Sequence, residues 1–325
     1  MNTPQVLVLG SYNQDCVWRV ERAPQAGETV RGREFSSAHG GKGFNQAVAC
    51  ARQGAATAFI AALGDDVAGA QAQRTAAAEG IAAHWQLHAD VATGNACILV
   101  EDGGQNRIVV ALGANERIGA GFLAARDEVF AGSRILLAQL ENNLDATRAA
   151  LDRATRHGLL RILNPAPVHA QLDAALLAQV DLLIPNETEC ALLLQRVAGL
   201  ELDPATLAQR PDAELHALLR RLPVASIIVT LGAQGCFVSH GQASPLADAA
   251  PYYRVAAEPA RVVDTTGAGD AFCGALAAAL LRLSTQPLRA AVAHANRCAA
   301  LATETQGAAA AMPHLDAVLA RFGGS

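Results

Sequence analysis

Apolar and polar positions recur in a steady order along this chain. Short runs of Val, Ile, Leu and Ala end in small polar loops, and most of those loops lead into segments with helical spacing. Residues 6–9, 59–63, 135–138, 159–163, 181–184 and 227–229 are such runs. Runs this short and this apolar fit strands covered on both faces, as in parallel sheets. Alternating strands and helices build βαβ units. The expected fold is therefore α/β, with a mostly parallel sheet between layers of helix. No linker, repeat or charge run divides residues 1–325, so one domain is expected.

Two stretches break the order. Residues 16–39 place Val17, Trp18, Val20, Val30 and Phe35 among polar spacers, with Pro24 and Gly27 as turn residues. Residues 95–110 alternate apolar and polar around Gly103-Gly104. Both patterns predict short antiparallel strands, the second as a hairpin, and together a small sheet standing off the main one.

The chemistry gathers where apolar runs stop. Val262-Val263-Asp264-Thr265-Thr266-Gly267-Ala268-Gly269-Asp270 reads as a strand end and a glycine turn entering an alanine-rich helix over 271–281. A helix start leaves backbone N–H groups unpaired and suits an anion. Gly267 and Gly269 allow a phosphate to approach closely. A carboxylate beside an anion cradle makes sense if Asp270 takes the proton from a hydroxyl attacking a phosphate. Read alone, the segment is equally an ordinary turn with a capping Asp. It is neither a Walker A loop nor the dinucleotide fingerprint, since Phe272 stands at the third glycine position.

Other strand ends carry similar choices. After the first run, Asn13 and Asp15 alternate, so both could hold substrate hydroxyls from one side, or simply form a turn. Gly40-Gly41-Lys42-Gly43-Phe44-Asn45-Gln46 enters a helix that ends at Gly54. Lys42 is either a phosphate ligand or a solvated lysine, and Asn45 either caps the helix or binds substrate. Gly64-Asp65-Asp66 is expected to cap a helix running through Glu79. Asn186 and Glu189, three apart, either cap a helix or act together on a hydrated magnesium ion. Thr230-Leu231-Gly232 is a nucleotide loop or a hairpin lead-in.

Composition narrows the classes. A net charge of −5 gives no support for nucleic-acid binding. Seven cysteines without a Cys-x-x-Cys pair indicate reduced thiols and a cytoplasmic protein. No basic segment precedes the first apolar run, and no apolar stretch approaches the roughly 20 residues that span a bilayer. A soluble protein with no membrane partner is expected.

Taken together and in order, these motifs resemble the ribokinase (PfkB-type) carbohydrate kinases. Asp264 to Asp270 is similar to that family's C-terminal signature, and Gly40 to Ala47 to its N-terminal one. Gly10-Ser11-Tyr12-Asn13-Gln14-Asp15 looks like its opening strand–loop. Gln139-Leu140-Glu141, Leu163-Asn164-Pro165-Ala166-Pro167, Pro185-Asn186-Glu187-Thr188-Glu189 and Thr230-Leu231-Gly232 fall in its order and spacing. The resemblance runs from Val6 to about Phe322.

It implies a three-layer α/β/α fold with a β lid built from about 13–40 and 95–113. In this family such lids close over the sugar and pair as a homodimer. The implied reaction is ATP-dependent phosphorylation of a sugar, D-ribose before all others, with another sugar or a nucleoside as the alternative. A sensor without catalysis is the alternative of a different class. The resemblance implies that Asn13, Asp15, Gly41, Lys42, Asn45 and Glu141 hold the sugar and that Asp270 is the general base. The amides of Ala268, Gly269 and Asp270, shaped by Gly267, would form the anion hole. ATP would meet Asn186, Thr230, Gly232, Gly269 and Asn296. Magnesium would sit in water near Glu189, and potassium near Asp264, Thr266 and Gly307. Two departures stand out. Phe44 replaces a small residue, leaving room for a nucleoside reading, and Ala311 replaces a serine that helps bind potassium.

Overall fold

The computed structural model describes residues 5–246 and 248–323. Among them, nine strands form one sheet and four form another. The chain opens with β1 (Val6–Leu9) in the large sheet, then leaves it for β2 (Asn13–Val20) and β3 (Glu34–Gly40). It returns for β4 (Thr57–Gly64) and β5 (Ala82–His88), and leaves again for β6 (Asn95–Glu101) and β7 (Asn106–Ala111). The large sheet then takes β8 (Ile135–Ala138), β9 (Leu160–Leu163), β10 (Leu182–Leu183), β11 (Ser226–Thr230), β12 (Cys236–His240) and β13 (Tyr252–Val255).

The strand order is β13-β12-β11-β10-β9-β8-β1-β4-β5, and only β12 runs against its neighbours. β1 sits between β4 and β8, both parallel to it, with Val8 opposite Phe59 and Leu137. Alternate residues of β1 face opposite sides. Val6 and Val8 join the core under helices Lys42–Arg52 and Ala268–Arg282, and Leu7 and Leu9 join the core on the other face. All four are fully buried, which is why β1 reads as an unbroken apolar run.

The second sheet has the order β3-β2-β6-β7. Its outer pairs are antiparallel as expected, but β2 and β6 are parallel. The pattern of alternation gives strands but not direction. Direction follows from connectivity: β4, a helix and β5 lie between β2 and β6, so the chain re-enters the small sheet by a crossover.

The strand expected at 262–263 is absent. Both valines are exposed, and the backbone there is tied instead by Val263 and Asp264 N–H groups donating to Thr303 O at 2.8 and 3.1 Å. β-branched residues form strands only where a sheet edge receives them. Here the edge strand beyond β12 is β13, a segment the sequence pattern did not single out.

Helices Lys42–Arg52 and Ala268–Arg282 approach closely because Gly274 has no side chain. A Cβ there would stand 2.5 Å from Ala49 Cβ and 2.6 Å from Gln46 O. Gly274→Ala should push the helices apart and lower the unfolding free energy by about 1–3 kcal/mol, the usual range for overpacking. Chemical denaturation measures this. An unchanged midpoint would mean the two helices have slack at this contact.

Candidate active site

The large sheet grows in opposite directions from β1: toward β8 on one side and β4 on the other. In open α/β sheets the crevice beyond the strand ends at such a switch point receives ligands. The loops leaving β1 and β8 carry the residues singled out above.

The β1 exit feeds directly into β2, so Asn13 and Asp15 lie two apart on one face of that strand. Asn13 Oδ1 accepts from Asn115 Nδ2 at 2.9 Å. Asn115 also donates to Tyr12 O and accepts from Tyr12 N, at 2.9 and 3.0 Å. The Asp15 carboxylate lies over Gly40, where a Cβ would stand 2.2 Å from Asp15 Oδ2. Gly41 follows at φ +87°, a conformation and a closeness to Asn13 N that exclude a side chain. The helix then starts at Lys42. Its N–H donates to Glu141 Oε2 at 3.0 Å, and Ser11 Oγ donates to the same oxygen at 2.6 Å. Glu141, beyond β8, is thereby fixed to both the β1 loop and the helix start.

Asn45 does not cap this helix. Gly41 is the N-cap, without a side-chain bond, and Asn45 lies one turn in. Its Nδ2 donates to Asp270 Oδ2 at 2.9 Å, while Gln46 Nε2 donates to Asp270 Oδ1 at 2.9 Å. Asn45 Oδ1 is buried without a partner among the described residues. Asp270 is the third residue of its helix, behind Gly267 at φ +76°. A Cβ on Gly267 would stand 3.1 Å from Ala308 Cα. Ala268 N–H is taken by Thr265 O at 3.2 Å. The N–H groups of Gly269 and Asp270 have no acceptor among the described residues and remain free. Above Gly269 there is open space.

The site is crowded with negative charge. Burial pushes Asp15 up to about 6, helped by Glu141 and Asp270 and opposed by Lys42. Burial also raises Asp270, against the pull of Lys42, Gln46 and Asn45. Glu189 is raised by burial, and the Asn186 N–H and Lys42 partly restrain it. Burial by itself would lower the Lys42 ammonium, but Asp270, Glu141 and Glu189 more than offset it.

The remaining residues take clear places. Asn186 and Glu189 form a complete capping box: Glu189 N donates to Asn186 Oδ1 at 2.9 Å, and Asn186 N to Glu189 Oε2 at 3.0 Å. Thr230 N–H donates to Pro185 O at 2.9 Å, which sets the β11 exit beside this cap, and Gly232 follows at φ +52°. Asn296 lies further along the same edge, where its Nδ2 donates to Val255 O and Ala256 O at 3.2 and 3.0 Å. Asp264 accepts from Thr266 N and Gly307 N, both at 2.9 Å, and these donors hold its carboxyl below the usual range despite partial burial. Phe44 is fully buried, edge-on to Tyr12 with ring centres 5.3 Å apart and packed against Phe59. It offers no surface to a nucleobase.

Three groups escaped the sequence reading. Ser11 and Gln46 lie inside quoted motifs but carry no distinguishing spacing. Asn115 lies in a short turn after β7, and nothing local marks it as buried against Asn13.

The model of the pfkB family carbohydrate kinases matches residues 3–315. Ribokinase of Schizosaccharomyces pombe is 34% identical over 317 residues, covering 95% of each chain. In three dimensions, ribokinase of Giardia lamblia superposes with a TM-score of 0.85 at 26% identity, over 99% of this chain and 100% of that one. Arabidopsis thaliana ribokinase complexed with ribose and ATP superposes with a TM-score of 0.84 at 28% identity, over 100% of both. With the glycine turn, Asp270 and the Gly-Gly-Lys-Gly helix start in one crevice, the chain belongs to the pfkB family of carbohydrate kinases.

Proposed function

We propose that this chain transfers the γ-phosphoryl group of ATP to the primary hydroxyl of D-ribose, giving D-ribose 5-phosphate and ADP. The observation that carries the reading is the buried Asp270 carboxylate beside two free amides at the start of its own helix. The printed ligands of the Arabidopsis relative, ribose and ATP, support the choice of sugar and nucleotide.

The chemistry follows from the geometry. Asp270 accepts the hydroxyl proton as the sugar oxygen bonds to the γ-phosphorus. The bond from that phosphorus to the β–γ bridging oxygen breaks, and ADP leaves with the electron pair. The free Gly269 and Asp270 amides would hold the charge that develops on the equatorial oxygens. Asn13, Asp15, Lys42 and Glu141 orient the sugar, with Gly41 giving it close access. Asn45 Oδ1 supplies an acceptor that a sugar hydroxyl would satisfy. Asn186, Thr230, Gly232 and Asn296 line the nucleotide side.

Among the described residues no group of three or more His, Cys, Asp or Glu side chains could hold a metal ion directly, so a divalent cation would ride on the nucleotide phosphates and meet the protein through water. Glu189 would hold magnesium through water, and the ion supplies charge neutralisation for the phosphates. Asp264, whose carboxylate accepts from Thr266 N and Gly307 N, would be the anionic ligand of a monovalent cation in this reading, with Thr266 beside it. Gly307 serves there through its N–H to Asp264. Ala311 brings no hydroxyl, so potassium activation is weak in this reading.

The small sheet acts as a lid and as a dimer surface. Phe35 on β3 and Ile108, Val109 and Val110 on β7 are exposed large apolar side chains on the two edge strands, which supports pairing with a second copy. All seven cysteines are free, and no helix among the described residues is long and apolar enough to cross a membrane, which supports a cytoplasmic setting.

Three outcomes are expected. Asp270→Asn should cut kcat by about 10²–10⁴-fold and leave ribose and ATP binding within a few-fold. ADP release with ribose, deoxyribose, fructose and adenosine measures this, and near-parental turnover would remove Asp270 as the base. Asp15→Asn should raise the KM for ribose while stabilising the ligand-free protein. The sign follows from the raised carboxyl. Above about pH 6 the folded protein must hold an ionised Asp15 that the unfolded chain ionises near the ordinary value of 3.8, so this group weakens the fold there. A melting temperature at pH 7.5 that does not rise would contradict the raised carboxyl. Sedimentation should give a dimer mass, and I108K/V110K together should give a monomer. A monomeric parent would refute the paired lid.

A further inference from the structure

Gln46 touches the base and has no part in the reaction described so far. We propose that Gln46, locked in one orientation by Asn164 and Gln139, is the positioning residue that keeps the Asp270 carboxylate in its accepting form and aims its second oxygen at the substrate hydroxyl. This rests on the reading of Asp270 as the base.

The lock starts at a group with only one role. The Ile184 backbone carbonyl can only accept, so Asn164 must present Nδ2 to it, at 2.9 Å. Asn164 Oδ1 then faces Gln46 and accepts from its Nε2 at 3.1 Å. The other Nε2 hydrogen goes to Asp270 Oδ1 at 2.9 Å. On the far side, Gln139 Nε2 donates to Gln46 Oε1 at 2.6 Å. Reversing the Gln46 amide would set its oxygen against two acceptors, Asn164 Oδ1 and Asp270 Oδ1. Gln46 and Gln139 are fully buried, so water cannot relieve that conflict. Room for Gln139 comes from Gly10, where a Cβ would stand 2.1 Å from Gln139 Oε1. The amide orientation beside the base is thus dictated by a main-chain carbonyl two side chains away.

The consequence falls on Asp270. Its Oδ1 is committed to Gln46. Its Oδ2 takes Asn45 Nδ2 and keeps lone-pair capacity for the hydroxyl. Protonation removes the charge that these two donors stabilise and so weakens both bonds. The charged groups facing Asp270 pull in opposite senses. Lys42, on helix Lys42–Arg52, favours the carboxylate. Glu141 beyond β8, Asp15 on β2 and Glu189 at the start of helix Glu187–Ala198 disfavour it, and Cys273 faces it one turn on in its own helix. Burial and the neighbouring carboxylates leave the Asp270 carboxyl raised even with Lys42 and both amide donors in place, so loss of one donor raises it further.

The test is the pH profile of kcat/KM for ribose in Gln46→Met and Gln139→Met, beside Asp270→Asn and the parent. Removing a donor to the carboxylate raises the pH at which it ionises, so the acidic limb should move up. Gln46→Met should shift that limb by about one pH unit or more and lower kcat about 10-fold or more at neutral pH, with the KM for ATP within about twofold. Gln139→Met leaves the Asp270 contact in place but frees Gln46 to turn, so it should give a smaller shift in the same direction. Thermal melting with and without ribose establishes that each variant is folded. An acidic limb that coincides with the parent's in a folded variant overturns the proposal, as does failure of both variants to fold, which would make the network purely structural. An active Asp270→Asn would instead overturn the base assignment itself, so the two failures are distinguishable.

Discussion

Taking the Asp270 carboxylate out of water removes the hydration that normally stabilises its charge. The protein replaces that hydration with fixed partners: Asn45 and Gln46 from one helix, Lys42 from the same helix start, and the dipole of the helix that Asp270 itself opens. Two helices must therefore meet at close range. Gly274 on one and Ala49 on the other are the small residues that allow it. Packing and chemistry are here one constraint, because a looser helix pair would carry Asn45 and Gln46 away from the carboxylate.

The second constraint is excess negative charge. Asp15, Glu141, Glu189 and Asp270 share one crevice with one lysine, and burial raises three of them. Such an arrangement weakens the free protein and is a common feature of sites selected for ligands rather than for stability. In the proposed reaction, a sugar with several hydroxyl donors and a cation-neutralised nucleotide would both relieve it. The small sheet is carried directly on the β1 exit, so the placement of Asn13 and Asp15 and that of the sheet depend on the same strand, β2.

Local and tertiary roles coexist in several of these residues. Asn186 and Glu189 complete a capping box, and that local duty also fixes Glu189 within electrostatic reach of Lys42 and Asp270. The Ala268 amide closes the glycine turn through Thr265, which leaves the next two amides free to meet an anion. Neither role displaces the other, since a carboxylate oxygen has more than one lone pair and a helix start has more than one unpaired donor.

The amino-acid sequence determined the α/β class, strands β1, β4 and β8 to β11 of the large sheet, and the ordered motifs, because apolar periodicity and glycine-bearing turns are local properties; the half-buried edge strand β5 carries no such apolar run. Asn13, Asp15, Lys42, Glu141 and Asp270 were legible as candidate site residues for the same reason: each follows an apolar run or lies at a helix start. The tertiary structure decided what depends on long-range partners. Val262 and Val263 are not a strand because β13 is the edge strand beyond β12 and the segment is tied to Thr303. Asn45 is not a cap because Gly41 starts the helix a turn earlier and Asp270, 225 residues away in sequence, claims its amide. Phe44 belongs to the core because Tyr12 and Phe59 enclose it. Asn115, Gln139 and Asn164 enter the site only through side chains that folding brings together, and a neutral amide carries no periodic or charge signal that would mark it beforehand.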